Sequence, residues 1–407
     1  MNGPALERVF RSASGRIIAV LAARFRDLAL AEDAFSESCL RAARVWPARG
    51  VPDDPAAWLY RVAQRIVLDS MRRDRKHDGS ATEEISSDPG PEEIMMDDAR
   101  VVPDERLRLI FICCHPSVAI EARAALTLRL VCGLSVTEIA RAFLIQEATL
   151  AQRLLRAKRK IADAGVPFEL PAPDSWPERL DAVLSTLEIA YAKAHEDAAG
   201  SGPHAGFASE VLHLTKLLAH LVPNDGAVAA LAAQVRYAEA RRPARVSAEG
   251  WIIPLSEQDP KLWRRDLIEE ANRLLADAIR MSPSDHRTLQ GQLQQVWCSR
   301  QSLQDAAPWP EVLRLYDRLL LTRDDPIVRI NRAVALAEIE GADAALVELS
   351  HLDTSALEQF LPYHAVRADL LARSGRRAEA ADAYARALAL DPPAAERQWL
   401  ERKAAGL

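Results

Sequence analysis

Apolar residues recur at helical spacing along most of the chain and predict an almost wholly helical protein. Near the N-terminus Ile17, Val20, Leu21 and Phe25 share one face, and Ala34, Phe35, Cys39 and Leu40 share another, so helices are expected over residues 5–46. Trp46, Pro47, Gly50, Pro52 and Pro55 then crowd together and predict a loop over residues 46–55. A helix is expected from Ala56 to Arg75, with Leu59, Val62, Ala63, Ile66 and Val67 as its apolar face. Residues 77–104 lose the pattern; they are polar, acidic and broken by prolines, as a flexible linker would be. Helical spacing returns over residues 105–163, breaks at Pro167, Pro171 and Pro173, and resumes from residue 176 to the end. Residues 245–254 depart from it and suggest a small hairpin.

Two helical segments carry chemistry. Ser135, Val136, Thr137 and Glu138 form a capping box that opens a helix running to about Phe143. Leu144, Ile145 and Gln146 make a turn, and a second helix begins at Glu147. Leu150, Leu154, Ala157 and Ile161 form its buried stripe. Thr149, Gln152, Arg153, Arg156, Arg159 and Lys160 cluster roughly 130° away, at about 100° per residue. A short helix, a tight turn and a basic helix predict a helix-turn-helix, whose second helix can enter a DNA major groove. Arginine forks suit guanine edges and phosphates alike. On the earlier helix, Arg61, Arg65, Arg72 and Lys76 recur at i, i+4, i+11 and i+15, a stripe able to follow a phosphate backbone. A solvated basic face is the plainer alternative in both places.

Charge sharpens this picture. The net charge of −6 conceals two basic blocks: residues 1–76 hold 14 Lys/Arg against nine Asp/Glu, and residues 105–163 hold ten against five, net +5 each. Between them residues 77–104 carry −8, and residues 164–407 carry another −8. Such blocks point to nucleic-acid contact at two places. Near the C-terminus Ala368, Leu371, Ala380, Tyr384, Ala387 and Pro392 match the small and aromatic positions of a tetratricopeptide (TPR) repeat, and a weaker unit surrounds residues 331–349. An ordinary helical bundle is the alternative.

Cys113, Cys114, His115 and Cys132 invite a zinc reading, but an adjacent cysteine pair lacks the spacing a metal ion needs, so these are expected in the core. Five scattered cysteines suit a reducing compartment. No phosphate loop, nucleophile motif or metal-spaced histidine pair occurs; no enzyme activity, catalytic residue, metal or cofactor is expected. Without a long apolar stretch or a signal peptide, the chain is expected to be cytoplasmic, with no membrane partner.

Three blocks together resemble extracytoplasmic-function (ECF) sigma factors. Residues 30–42, with Ala31, Glu32, Asp33, Ala34, Glu37 and Arg41, are similar to a conserved helix of sigma region 2. Residues 57–73, from Ala57, Trp58 and Leu59 to Leu68, Asp69, Arg72 and Arg73, are similar to its promoter-melting helix. Residues 126–158, with Leu126, Gly133, Ser135, Glu138, Thr149, Arg153 and Arg156, resemble region 4. The chain beyond residue 176 resembles the extension of a subgroup with a C-terminal TPR domain; Arg241, Arg242, Asp259, Trp263, Asn331 and Arg332 stand in its most similar strings. Residues 187–197 replace an expected "NEGY"-like string.

The resemblance implies an all-α chain: region 2 at 1–76, an acidic linker at 77–104, the region 4 helix-turn-helix at 105–164, a linker at 165–175 and a TPR-like extension at 176–407. It implies two partners, core RNA polymerase and promoter DNA. Glu32, Asp33, Glu37 and Arg41 would dock on the polymerase. Arg61, Arg65, Arg72, Arg73 and Lys76, beside a base pocket at residues 46–55, would hold the minus-ten region. Thr149, Gln152, Arg153, Arg156, Arg159 and Lys160 would read the minus-thirty-five element. The acidic linker would run toward the RNA exit path. The extension would regulate activity through a protein partner or a contact within the chain. A one-component DNA-binding regulator with a C-terminal sensor is the main alternative, and a TPR scaffold the other; neither uses both basic blocks.

Overall fold

The computed structural model describes residues 3–78, 102–143, 145–166, 168, 176–196, 205–353 and 357–407, with some side chains in these ranges left aside. They are helical throughout, with no strand among them, and form two compact units, Met1–Lys193 and Ala194–Leu407.

In the first unit α1 (Gly3–Phe25), α2 (Leu28–Arg49) and α3 (Pro55–Asp78) make a bundle. Asp27 caps α2, accepting a hydrogen bond from the Leu30 amide at 2.9 Å. The helix runs past Trp46 to Arg49, so the loop expected from residue 46 begins only at Gly50. Pro47 is tolerated because it falls in the last turn. Gly50, at φ 83°, ends the helix by donating its amide to the Trp46 carbonyl. Trp46 is buried against Phe10 and, edge-on, Trp58. Leu59, Tyr60, Ala63 and Val67 turn the other face of α3 inward.

α4 (Val102–Cys113), α5 (Ile120–Leu130), α6 (Val136–Ala142) and α7 (Glu147–Asp163) complete the second half of this unit. α3 extends two residues into the expected linker and α4 begins inside it, while residues 79–101 lie outside the described residues, as does Leu144 in the turn. The C-terminal half of α4 is apolar nearly all round, with Leu107, Leu109, Ile110, Phe111 and Ile112 buried, and it packs on α1. α1 also meets the end of α5 at Gly15. A Cβ there would lie 2.0 Å from the Val131 carbonyl oxygen, so only glycine permits this approach.

The compact units divide inside α8 (Trp176–Glu196), not at the proline-rich segment before it. Leu180, Val183, Leu184, Leu187 and Ala190 are buried, and Thr186 Oγ1 lies 3.5 Å from Cys114 Sγ. The helix expected to open the extension therefore packs with the N-terminal unit.

The second unit runs through α9 (Ala205–Leu221), α10 (Gly226–Arg241), α11 (Arg265–Met281), α12 (His286–Cys298), α13 (Trp309–Thr322), α14 (Pro326–Ile339), α15 (Ala342–Ser350), α16 (Leu361–Arg373), α17 (Arg377–Ala389) and α18 (Ala394–Ala405). α10 is buried along most of its length, and its alanines let α11 approach closely: Ala230, Ala233, Ala240, Ala271 and Ala278 are all at 0% exposure. Buried Arg236 is neutralised by Glu270 at 3.1 Å and donates to the Ala232 carbonyl. Arg241 donates to Gln294 and to Cys298 Sγ, while Arg242 forks onto Glu239. These contacts explain the arginine-rich string at the end of α10 as structural.

α16 and α17 form a TPR-like pair. Ala368, Leu371, Ala380, Tyr384 and Ala387, matched to the repeat in the sequence, share one buried cluster. The expected hairpin at 245–254 reduces to one antiparallel bridge, Val246 to Ile252. It holds α18 instead of a second strand: Ile252 donates to the Ala395 carbonyl at 3.0 Å, and the Arg402 guanidinium stacks 4.4 Å over the Trp251 ring.

Gly15→Ala is expected to destabilise the packing of α1 on the end of α5 by about 1–3 kcal/mol, because backbone must shift to admit the methyl group. Hydrogen exchange checks this: amides of α1 and α5 should lose protection while those of α10 and α11 keep it.

Candidate nucleic-acid and polymerase interface

The geometry of α7 follows from its sequence. Leu150, Leu154, Ala157 and Ile161 are buried, the stripe expected from their spacing. Thr149, Gln152, Arg153, Arg156, Arg159 and Lys160 are all exposed. Glu147 in the first turn and Lys160 in the last match the helix dipole. A basic helix thus stands behind a short one with its guanidinium forks in solvent.

A second basic surface lies between α2 and α3. Arg41, Arg44, Arg61, Arg65 and Arg72 line a groove of about 810 Å³ together with Trp58 and the apolar residues Val45, Val62 and Leu68. Arg73 is exposed nearby and donates back to the Asp69 carbonyl at 3.3 Å; the Lys76 side chain lies outside the described residues. Arg44 was not singled out in the sequence, although it lies one turn beyond Leu40 and Arg41. Arg41, expected at a polymerase contact, borders the same groove as the arginines expected on DNA.

The residues expected to dock on polymerase divide. Asp33 and Arg41 are exposed, and Arg41 Nε lies 3.1 Å from Glu37 Oε1. Glu32 is only 7% exposed. Arg129 Nε donates to its Oε1 at 2.7 Å, and Lys158 Nζ donates to its Oε2 at 2.8 Å. Arg129 also donates to the Leu134 carbonyl at 3.0 Å, bracing the turn before α6. One carboxylate of α2 therefore joins α5 and α7. Burial raises the Glu32 pKa, but the charges and hydrogen bonds of Lys158 and Arg129 outweigh burial and hold it below its ordinary value.

Cys113, Cys114, Cys132 and Cys298 are buried thiols and Cys39 is half-buried. Burial pushes Cys39 up to about 12 and raises Cys113 and Cys114 as well, so none of these three is poised as a thiolate. Among the described residues no three His, Cys, Asp or Glu side chains are grouped to hold a metal ion, and no helix is long and apolar enough to cross a membrane.

Two family models match the N-terminal part of the chain. Residues 9–77 match the model of sigma-70 region 2, and residues 108–161 match that of sigma-70 region 4. Two such regions on one chain define a sigma factor, which binds core RNA polymerase and promoter DNA and directs transcription. Residues 179–279 match a family of unknown function, DUF6596. An uncharacterized protein of Rhizobium meliloti (strain 1021), R00370, is 36% identical over 393 residues, covering 96% of this chain and 92% of that protein; the chain belongs to the same family. The solved structure of yeast Tom70 aligns with 93% of this chain and 80% of its own, at 10% identity and a TM-score of 0.38.

Because the Glu32 pKa is depressed in the folded protein, its contribution is complete above the unfolded value of about 4.3 and is lost only as pH falls through the lower folded value. The junction of α2 with α5 and α7 should therefore hold at pH 5 and open in stronger acid. Glu32→Gln should weaken it at neutral pH by roughly 1.5–3 kcal/mol, the worth of hydrogen bonds to a charged group. Amide exchange in α7 as a function of pH measures both effects.

Proposed function

We propose that this sigma factor is of the ECF type, that α7 reads the minus-thirty-five element, and that the groove between α2 and α3 receives the minus-ten strand. The observation carrying this is the clean division of α7 into one buried apolar stripe and six exposed polar and basic side chains. Arg153 and Arg156 are the forks best suited to guanine edges in the major groove. Arg159 and Lys160 contact phosphate, which positions without specifying. In the groove Arg61, Arg65 and Arg72 hold backbone phosphates, and Arg73 and Lys76 extend that track. Trp58 offers a face to an unstacked base, and the cost of extruding that base, a few kcal/mol, is offset by those contacts. A one-component operator-binding regulator would leave this second surface without a role.

Asp33, Glu37 and Arg41 dock on core polymerase. Glu32 joins them only after leaving Arg129 and Lys158, and DNA geometry requires that separation. Elements named for positions −10 and −35 lie about 25 base pairs apart, roughly 85 Å along the duplex at about 3.4 Å per step. Helices joined through a single carboxylate cannot reach both. The chain between Asp78 and Val102 spans at most about 85 Å when extended, enough for the two halves to part. The acidic linker then runs toward the RNA exit path.

Residues 176–407 form the TPR-like extension of the corresponding ECF subgroup and control activity through protein contacts rather than by reading the promoter. Support comes from their −8 share of charge with residues 164–175, and from the absence of an exposed basic stripe comparable to that of α7 among the described residues.

Arg153→Ala and Arg156→Ala should each weaken promoter binding by about 1–3 kcal/mol while leaving core-polymerase binding unchanged. Asp33→Lys with Glu37→Lys should reverse that pattern, lowering co-purification with core polymerase. Run-off transcription with purified core polymerase, alongside both binding assays, checks these outcomes. Promoter binding at full strength in the arginine variants would remove α7 from the minus-thirty-five element.

A further inference from the structure

The C-terminal unit contains a cavity that neither transcription nor the family comparisons assign. It lies between α15, α16 and α17 and has a volume of about 460 Å³, within the size range of small-molecule sites. Leu346, Leu349 and Leu371 supply apolar wall. The polar lining is Ser350, Glu358, His364, Arg367, Arg376 and Arg386.

His364 defines what the cavity asks of a ligand. The residue is only 6% exposed, and its Nε2 lies 3.0 Å from the Glu358 carbonyl oxygen. A carbonyl can only accept, so Nε2 carries a proton, and in that tautomer Nδ1 is a lone-pair acceptor. That Nδ1 is buried and has no hydrogen-bond partner among the described residues. A buried polar atom left unpaired is costly, and a hydroxyl or N–H of a bound molecule would satisfy it.

The arginines define the rest. Arg376 is engaged as a fork with Glu379, at 2.7 and 2.6 Å. Arg367 and Arg386 make no hydrogen bond or ion pair with a carboxylate among the described residues, and both line the cavity. Planar guanidinium groups match carboxylate and phosphate oxygens. Ser350 donates its hydroxyl to the Val347 carbonyl, so it presents only an acceptor. Glu358 is the single acid in the lining, against three arginines.

We propose that this cavity binds a small organic acid, a carboxylate or phosphate monoester, that also bears a hydroxyl or N–H donor. Arg367 and Arg386 hold the acid group, and Nδ1 of His364 accepts from the donor. The same chemistry occurs at the free C-terminus of a peptide, and the test separates the two sources. The proposal does not depend on how the promoter is read.

Calorimetry on the full chain would use glycerol 3-phosphate and lactate as hydroxylated acids, inorganic phosphate and acetate as acids without the carbon-borne hydroxyl, and a hexapeptide with a free or amidated C-terminus. At least one hydroxylated acid should bind saturably, at least tenfold tighter than its counterpart. Arg386→Ala alters an exposed side chain and should fold normally; it should weaken that binding at least tenfold. His364→Phe should abolish the preference for the hydroxylated member. If the Phe variant fails to fold, Arg386→Ala still decides. No saturable binding, or binding unchanged in Arg386→Ala, would overturn the site. Tighter, Arg386-dependent binding of the free-carboxyl peptide than of any small acid would overturn the assignment to a small molecule.

Discussion

The Glu32 carboxylate, held between Arg129 and Lys158, is the interaction on which the N-terminal half depends. A carboxylate taken out of water is unfavourable by several kcal/mol unless cations and hydrogen bonds replace its hydration, and here both oxygens are met at 2.7 and 2.8 Å. Removing either cation leaves a buried acid incompletely compensated, so the contact is made or broken as a whole. It couples the helix proposed to meet polymerase with the helix proposed to meet DNA. Gly15 is its steric counterpart: without a side chain there, α1 can lie against Val131.

The surfaces proposed to meet DNA remain open around that junction. The basic face of α7 points to solvent while its stripe is buried, and the α2–α3 groove gathers five arginines around Trp58. The charges on the surfaces proposed to meet DNA are exposed, while the more buried charges are paired: Glu32 with its two cations, Arg236 with Glu270, Arg242 with Glu239. In the C-terminal unit alanine packing works beside such ion pairs, because helices meeting at alanine approach closely. His364 Nδ1 is one of several buried side-chain atoms left unpaired there, with Trp263 Nε1 and Thr288 Oγ1 among the others.

Much of this was legible in the sequence. The buried stripe of α7 follows from periodicity, and the alanine and tyrosine positions of α16 and α17 follow from their match to the repeat pattern. Glu32 was read only as a polymerase contact, although Leu28, Ala31, Glu32 and Phe35 fall at i, i+3, i+4 and i+7 on α2, a spacing that sets the acid in the apolar stripe. Lys158 likewise follows Leu154 by four residues and precedes Ile161 by three. That the two meet depends on tertiary packing, with Arg129 97 residues from Glu32 in sequence, and no local pattern encodes it. The end of α2 was misplaced because proline reads as a breaker, although in a last turn it removes little. The place of α8 was hidden because helical spacing says which face is buried but not against which neighbour.

The most direct measurement is the distance between α2 and α7, by fluorescence energy transfer between labels at Ala29→Cys and Ala151→Cys in a Cys39→Ser background. Both alanines are exposed. In the free protein the labels should lie within about 40 Å, as a compact unit of this size requires. With core polymerase and promoter DNA the distance should grow beyond about 60 Å, as elements roughly 85 Å apart on the duplex demand. An unchanged short distance in a transcribing complex would contradict the release of Glu32.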